Sequence, residues 1–238
     1  ICFYALKNRM KKIFLAIFIS FVFLVSFSSA HVNHYKKIKY LKYDLFLNNN
    51  LIGSHIFNFK KKGDLFYVIA EGKFKVSTLG IELMNYQTTS EEIYQNEQLI
   101  KFNSKTKQNN KEKYVNLEID KNENMIKVDG SSFKGKTDLS SMVGTWWNHQ
   151  IVKERKQISA ISGRIINQKV KFLGKEDIEI DNKSYKALHF HFLSDDNKPL
   201  KEKKLNIHVW YDADTLLWIK SSYDKLGKWE YRLKEILF

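Results

Sequence analysis

Tyr40-Leu41-Lys42-Tyr43-Asp44-Leu45-Phe46-Leu47 puts a leucine or tyrosine at every second position, runs into Asn48-Asn49-Asn50, and alternates again over residues 52–59. A period of two marks a strand with one face in a core. Asparagine adopts left-handed backbone cheaply, so the Asn run reads as the turn of a hairpin. Lys61-Lys62-Gly63-Asp64 turns the chain again, into residues 65–76. The series continues through residues 83–94, 99–105, 114–119 and 125–128, with Gln108-Asn109-Asn110 and Lys121-Asn122-Glu123-Asn124 between them. Strand follows strand at hairpin spacing, which predicts an antiparallel meander.

From Asp138 the period changes. Leu139, Met142, Val143, Trp146, Trp147 and Ile151 fall close to a helical stripe, which predicts one helix over residues 138–152 with Asp138 as its N-cap. Strands resume at residues 164–173, 178–180, 185–193, 205–212, 216–223 and 229–238. About a dozen strands make too wide a flat sheet, because strand twist forces such sheets to curl. The expected fold is therefore mainly β: a strongly curved antiparallel meander or incomplete β-barrel, its concave side filled by the 138–152 helix. Lys113, Val115, Leu117 and Ile119 on one face, against Tyr114, Asn116, Glu118 and Asp120 on the other, fit such a half-buried sheet. Lysine and asparagine are spread too evenly for the lipid-facing bands of an outer-membrane barrel.

The N-terminal residues carry a compartment signal. Lys11 and Lys12 follow Met10, residues 13–27 run without a charge, and Ser28-Ser29-Ala30 closes the run. That basic, apolar, small-residue order predicts a secretory signal cleaved after Ala30, with Met10 as the start and residues 1–9 as upstream sequence. The domain organisation expected is residues 1–30 as leader and residues 31–238 as a single β-rich domain. The location expected is periplasmic or secreted; the alternative is an inner-membrane anchor formed by residues 13–27.

Lys+Arg 40 against Asp+Glu 26 give a formal charge of +14, with 43% hydrophobic and 14% aromatic residues. That apolar share excludes a disordered or collagen-like chain. The one cysteine, Cys2, excludes a disulfide scaffold and a thiolate zinc cluster. Loss of residues 1–30 would remove Lys7, Arg9, Lys11 and Lys12 and no acid, so the chain stays basic. A basic envelope protein favours anionic surfaces such as lipid headgroups, lipopolysaccharide or cell-wall polymers.

Thr145-Trp146-Trp147-Asn148, Ser162-Gly163-Arg164, Gly174 with Glu176-Asp177-Ile178, Ala187, Phe190, Trp210-Tyr211-Asp212 and Leu217 form a recognisable set. Tyr43-Asp44, Ile52-Gly53, Phe74-Lys75-Val76 and Ser90-Glu91 extend it through the first half. The set resembles a family of uncharacterised, secreted, β-rich bacterial proteins known as a domain of unknown function. The resemblance implies a periplasmic or secreted β-protein and brings no catalytic residues. The chain departs from it at Asp214-Thr215, where that family often has glycine.

For chemistry, His189 and His191 flank Phe190, so on a strand both imidazoles leave one face about 7 Å apart. They are the candidate metal ligands, with His149 or His208 available to complete a triad. His31, as a new N-terminus, is a further candidate for copper. There is no Gly-x-Ser-x-Gly elbow, phosphate loop or dinucleotide fingerprint, and Glu91-Glu92 and Asp195-Asp196 are adjacent rather than spaced for acid/base work. No catalytic residue and no cofactor is assigned.

Trp146, Trp147, Trp210 and Tyr211 are the candidate ligand-binding residues, for an apolar cleft or a sugar-stacking face. A secretory signal argues against a nucleic-acid partner. Ile207, Val209 and Tyr211 share one face of their strand and His208, Trp210 and Asp212 the other. Trp210 is expected to pack into the interior of the sheet, and Asp212 to hold the following turn. The function expected is a non-enzymatic envelope protein that binds an apolar or envelope-derived ligand or acts as a scaffold, with association at a membrane surface. The alternative is a hydrolase or lyase acting on an envelope polymer through His149, His189 or Asp212.

Overall fold

The computed structural model describes Tyr35 and residues 37–238. The alternation does what a period of two requires: each strand turns one side chain in two toward a common interior. Among the described residues, fifteen strands result. They are β1 (Tyr40–Leu47), β2 (Asn50–Lys62), β3 (Leu65–Thr78), β4 (Ile81–Gln95), β5 (Gln98–Gln108), β6 (Lys111–Asp120), β7 (Met125–Gly130) and β8 (Phe133–Asp138). Then follow β9 (Ser141–Val143), β10 (Lys156–Ile158), β11 (Ile165–Ile180), β12 (Lys183–Ser194), β13 (Asn206–Asp212), β14 (Trp218–Asp224) and β15 (Lys228–Leu237). They form one sheet in the order β8 to β1, then β15 to β9. The first strand and the last therefore pair at its centre.

The sheet nearly closes on itself. Its edge strands β8 and β9 are joined by a two-residue turn, and Thr137 and Ser141 hydroxyls meet at 2.8 Å. Across the seam, Ser132 N donates to the Ser162 carbonyl at 2.8 Å and Ser104 Oγ donates to the Ala160 carbonyl. Two glycines let the backbones touch: a Cβ on Gly130 would stand 2.7 Å from Ser162 O and 2.8 Å from Gly163 Cα. Phe102, Val115, Leu117, Ile126 and Val128 from one side bury against Val143 and Ile158 from the other. The result is a barrel-like sheet, and a mainly β, barrel-like fold is what the alternation implies.

Three local expectations need correction. Residues 138–152 are not a helix: Asp138 ends β8 and pairs with Lys156, while β9 runs parallel to β10, the one parallel pairing among the described strands. Trp146 has φ 64°, which no helix accommodates, and only His149–Lys153 forms a short 3-10 turn, capped by Asn148 rather than Asp138. Apart from the exposed Leu139 the apolar stripe is nonetheless covered, because this segment lies inside the barrel and needs no helical face to reach apolar surroundings. Finally, β11 is one strand, not two: Gly174, at φ 132°, is a bulge inside it. The basic, apolar and small-residue signal read over residues 11–30 lies outside the described residues. Among those residues no helix is long and apolar enough to cross a membrane.

Candidate functional site

The segment Thr145-Trp146-Trp147-Asn148 closes one end of the barrel. Trp147 is wholly buried among Tyr35, Phe59, Phe66 and Tyr94, with ring centroids 5.0–6.5 Å away. Its indole N–H donates to Glu92 Oε1 at 2.8 Å, and the Tyr94 hydroxyl donates to the other carboxyl oxygen. Burial holds the Glu92 carboxyl above its ordinary range, against donors Tyr94, Trp147 and Thr145 that pull it down. The backbone is pinned too: Tyr35 Oη donates to the Trp147 carbonyl and Tyr211 Oη to the Trp146 carbonyl at 3.0 Å. Trp146 itself packs edge-on against Phe192 at 5.0 Å. This end is a wall.

Above the wall the interior turns polar. One inward row across β1 to β6 reads Tyr43, His55, Gly72, Thr88, Thr106, Lys113. Thr88 and Thr106 hydroxyls meet at 2.8 Å. His55 lies 4.4 Å from the Phe57 ring and 6.1 Å from Tyr231, and burial lowers its imidazole to about 4. Trp218 stacks on Tyr43 at 4.0 Å, and Tyr43 Oη donates to its carbonyl. Ser221 sits directly across from Tyr231. Trp218 Nε1 and Ser221 Oγ are both fully buried, and neither has a hydrogen-bond partner in the protein. A buried donor left unpaired costs about 1–3 kcal/mol, so such a group is ordinarily matched by something.

The next inward row, toward the other end, reads Tyr231, Leu45, Gly53, Phe74, Tyr86. Phe74 stacks on Tyr86 at 4.6 Å and meets Trp229 edge-on at 5.4 Å. Only Leu45, Phe74 and Trp229 of this cluster are buried; Leu47, Ile52, Val76, Met84, Tyr86, Tyr223 and Tyr231 around them are partly covered. This end is apolar and rich in tyrosine, less completely covered than the wall, and it adjoins the polar row.

The outward face of β11 to β14 holds a different cluster. His191 and His208 face each other across strands with rings stacked at 4.1 Å, and His189 Nε2 meets His208 Nδ1 at 2.8 Å. His189 Nδ1 stands 2.8 Å from Glu176 Oε1, and His191 Nε2 is 2.7 Å from Asn206 Oδ1. Burial, with the neighbouring histidines, lowers His208 to about 4. His189 and His191 thus share a face as the spacing implies, and the histidine that joins them is His208. His149 lies inside the barrel, 6.3 Å from Tyr211. Among the described residues no group of three or more His, Cys, Asp or Glu is arranged to hold a metal ion.

Trp146, Trp147, Trp210 and Tyr211 do not form one surface. The first two and Tyr211 line the closed end, whereas Trp210 leaves the opposite face of β13. It is nevertheless buried, because the His189 ring stacks on it at 4.2 Å, Lys220 Nζ stands over it at 5.1 Å and Glu176 takes its N–H. The residues named for a hydrolase are likewise apart: His149 points in, His189 points out, and Asp212 Oδ1 accepts from Thr215 N and Oγ1 in a turn. Sequence reasoning missed His55, Trp218, Ser221 and Glu92. The signal was there in part for His55 and Glu92, which alternate with the buried Phe57 and Tyr94, whereas a bulge between Trp218 and Lys220 hides the face of Trp218.

β4 to β6 line a cleft of about 690 Å³ bordered by polar side chains, among them Thr88, Thr106 and Lys113 of the inward row and Gln87, Asn103 and Tyr114.

A family described as a domain of unknown function, DUF6134, matches residues 43–234. The chain belongs to the DUF6134 family. That membership agrees with the resemblance to an uncharacterised β-rich family noted from the sequence. The DUF6134 match spans β1 to β15 and includes every residue of the interior rows described above. No curated protein matches the chain. Among solved structures it is similar to a β-barrel-like protein of another domain of unknown function, DUF1849, from Brucella abortus. Identity is 11%, coverage is 84% of this chain and 97% of that one, and the TM-score is 0.58. At that identity the likeness is one of fold.

Proposed function

We propose that this DUF6134 protein is a non-enzymatic, periplasmic or secreted binder of an amphipathic, lipid-like ligand of the cell envelope. The ligand enters by the end opposite the wall, where the apolar residues are only partly covered. Its apolar part lies along Leu45, Phe74, Tyr86 and Tyr231, and its polar group meets Trp218 Nε1 and Ser221 Oγ. The observation that carries this reading is the pair of buried, unpartnered polar atoms at the foot of an aromatic entrance. An apolar pocket with a few convergent polar groups is the usual form of a small-molecule site. His55, held neutral beside them, adds a group that accepts or donates without bringing charge. The basic composition supports a ligand drawn from anionic envelope material.

The test is mass spectrometry of organic extracts from the purified full-length protein. A bound compound with an acyl chain, lost when Trp218→Phe is combined with Ser221→Ala, supports the reading. A protein that carries no such compound, and takes up none when offered, contradicts it.

A further inference from the structure

Two hairpin tips combine a left-handed backbone with an exposed leucine. In the two-residue loops Asn48-Asn49, Asn96-Glu97 and Asp181-Asn182, both residues have positive φ and both are polar. Asparagine and aspartate suit that conformation, and a solvated loop suits them. The β3–β4 loop is Leu79-Gly80, with Leu79 at φ 51° and 96% exposed. The β14–β15 loop carries Leu226-Gly227, with Leu226 at φ 56° and 98% exposed. A leucine there is conformationally unfavourable and, in water, hydrophobically unfavourable as well.

Both leucines stand at the same end of the barrel. The loops after β1, β3, β5 and β14 all lie there, because an antiparallel sheet alternates its reversals between two ends. Asn48 N donates to the Lys228 carbonyl and Phe74 touches Trp229, which ties the three regions together. It is the end where the partly covered apolar residues lie. Ile81 and Leu83 follow Leu79 at 66% and 56% exposure, and Leu51 beside the β1–β2 loop is 61% exposed. Lys107, Lys111, Lys225 and Lys228 are exposed on the neighbouring tips, beside Glu112 and Asp224, with Glu82 engaged by Lys75 at 2.6 Å. In the β12–β13 loop at the same end Asp195 and Asp196 are paired with Lys169 and Lys203, and Glu202 lies among four lysines.

We infer that this end docks on an anionic lipid surface, with Leu79 and Leu226 inserted as separate apolar points and the lysines on the headgroups. Two protruding leucines with basic neighbours suit a soft interface that admits single side chains, and they offer no flat area to a protein partner. The inference rests on the proposed ligand reading and deepens it: docking would set the proposed entrance against the source of the ligand.

The experiment uses the full-length protein in a Cys2→Ser background, with a nitrobenzoxadiazole fluorophore on Leu226→Cys, on Leu79→Cys, or on Asn182→Cys at the opposite end. On phosphatidylglycerol vesicles the first two should brighten and shift to the blue, the third should not, and neutral phosphatidylcholine vesicles should give less. Unlabelled Leu79→Asn with Leu226→Asn should weaken vesicle binding about tenfold or more and keep the melting temperature or raise it, since asparagine suits both turns. Equal response at residue 182, no response at 79 and 226, or brightening with protein concentration in the absence of lipid overturns the inference; the last would mean self-association. Uptake of an acyl fluorophore in the same samples separates the two ideas. Uptake without tip insertion defeats docking alone, and insertion without uptake defeats the ligand reading alone.

Discussion

The indole N–H of Trp147 donates to the carboxyl of Glu92 across 2.8 Å, and both side chains are sealed at the closed end of the barrel. The bond joins the strand that follows the β3–β4 hairpin turn to the segment that connects β9 to β10, fifty-five residues later. The wall is therefore held by a polar contact set within an aromatic cluster, which fixes one arrangement of rings that packing alone would leave less defined. Trp147→Ala is expected to cost about 3–5 kcal/mol through the cavity it leaves. Trp147→Phe keeps most of the volume and strips Glu92 of one donor, for about 1–3 kcal/mol. Urea unfolding of both variants checks the order.

Closure of the sheet depends on Gly163. Its φ is 76°, and a Cβ would stand 3.0 Å from Gly130 Cα and 3.2 Å from Val128 Cγ1. At Gly63, with φ 63°, a Cβ would meet nothing within 4 Å. Gly163→Ala should therefore cost about 2 kcal/mol or more, and Gly63→Ala about 1 kcal/mol, since only the first adds a clash at the seam to the backbone strain. Equal melting temperatures for the two variants would show that the seam is slack.

Trp210 and Asp212 leave one face of β13 and do different work. Trp210→Ala removes a stack on His189 and a cation over the ring, for an expected loss of about 2 kcal/mol, less than a core tryptophan because one side of the site is polar. Asp212→Ala removes the acceptor for Thr215 N at 2.8 Å and should cost about 1 kcal/mol. Thermal unfolding distinguishes them, with neither variant expected to alter ligand uptake at the interior.

Stability should fall on acidification through the histidines. Burial lowers His55 from 6.5 to about 4, so between those values the unfolded chain binds a proton that the folded chain refuses. The contribution is whole above the unfolded value and is lost as pH falls through the folded one, a change of about 3 kcal/mol for His55. His208, lowered to about 4 on the outer face, acts in the same direction. Glu92, raised by burial, acts in the opposite one, gaining as pH falls. Urea midpoints from about pH 7 to about pH 4 should drop in the parent and drop less in His55→Gln.

The β1–β2 hairpin and its successors were legible because turn asparagines and period-two leucines agree with each other, and the structure places Leu41, Tyr43 and Leu45 in the core together. Residues 138–152 misled because apolar spacing reports burial and not conformation, and Trp146 takes a left-handed backbone that a tryptophan seldom shows. The spacing over residues 164–180 suggests two strands, and the structure joins them through a bulge at Gly174, which spacing alone does not distinguish from a strand end. The shared face of His189 and His191 was legible from spacing, but His208 as their partner depended on the β12–β13 register. Ser221 and His55 were hidden for a simpler reason. A lone polar residue in an alternating strand looks the same whether its neighbours turn it outward or in.

The account turns on an interior that accepts an amphipathic molecule between Tyr231 and the unpaired atoms of Trp218 and Ser221. The most direct measurement is a fluorescence titration of the full-length protein with a dansyl-labelled acyl chain, made on the parent and on Ser221→Leu, which fills the polar foot of the site. The account predicts saturable binding at one site per chain in the parent, with affinity reduced about tenfold or more in a variant that still unfolds cooperatively. Binding of equal strength in the two proteins, or no saturable binding in the parent, would contradict it.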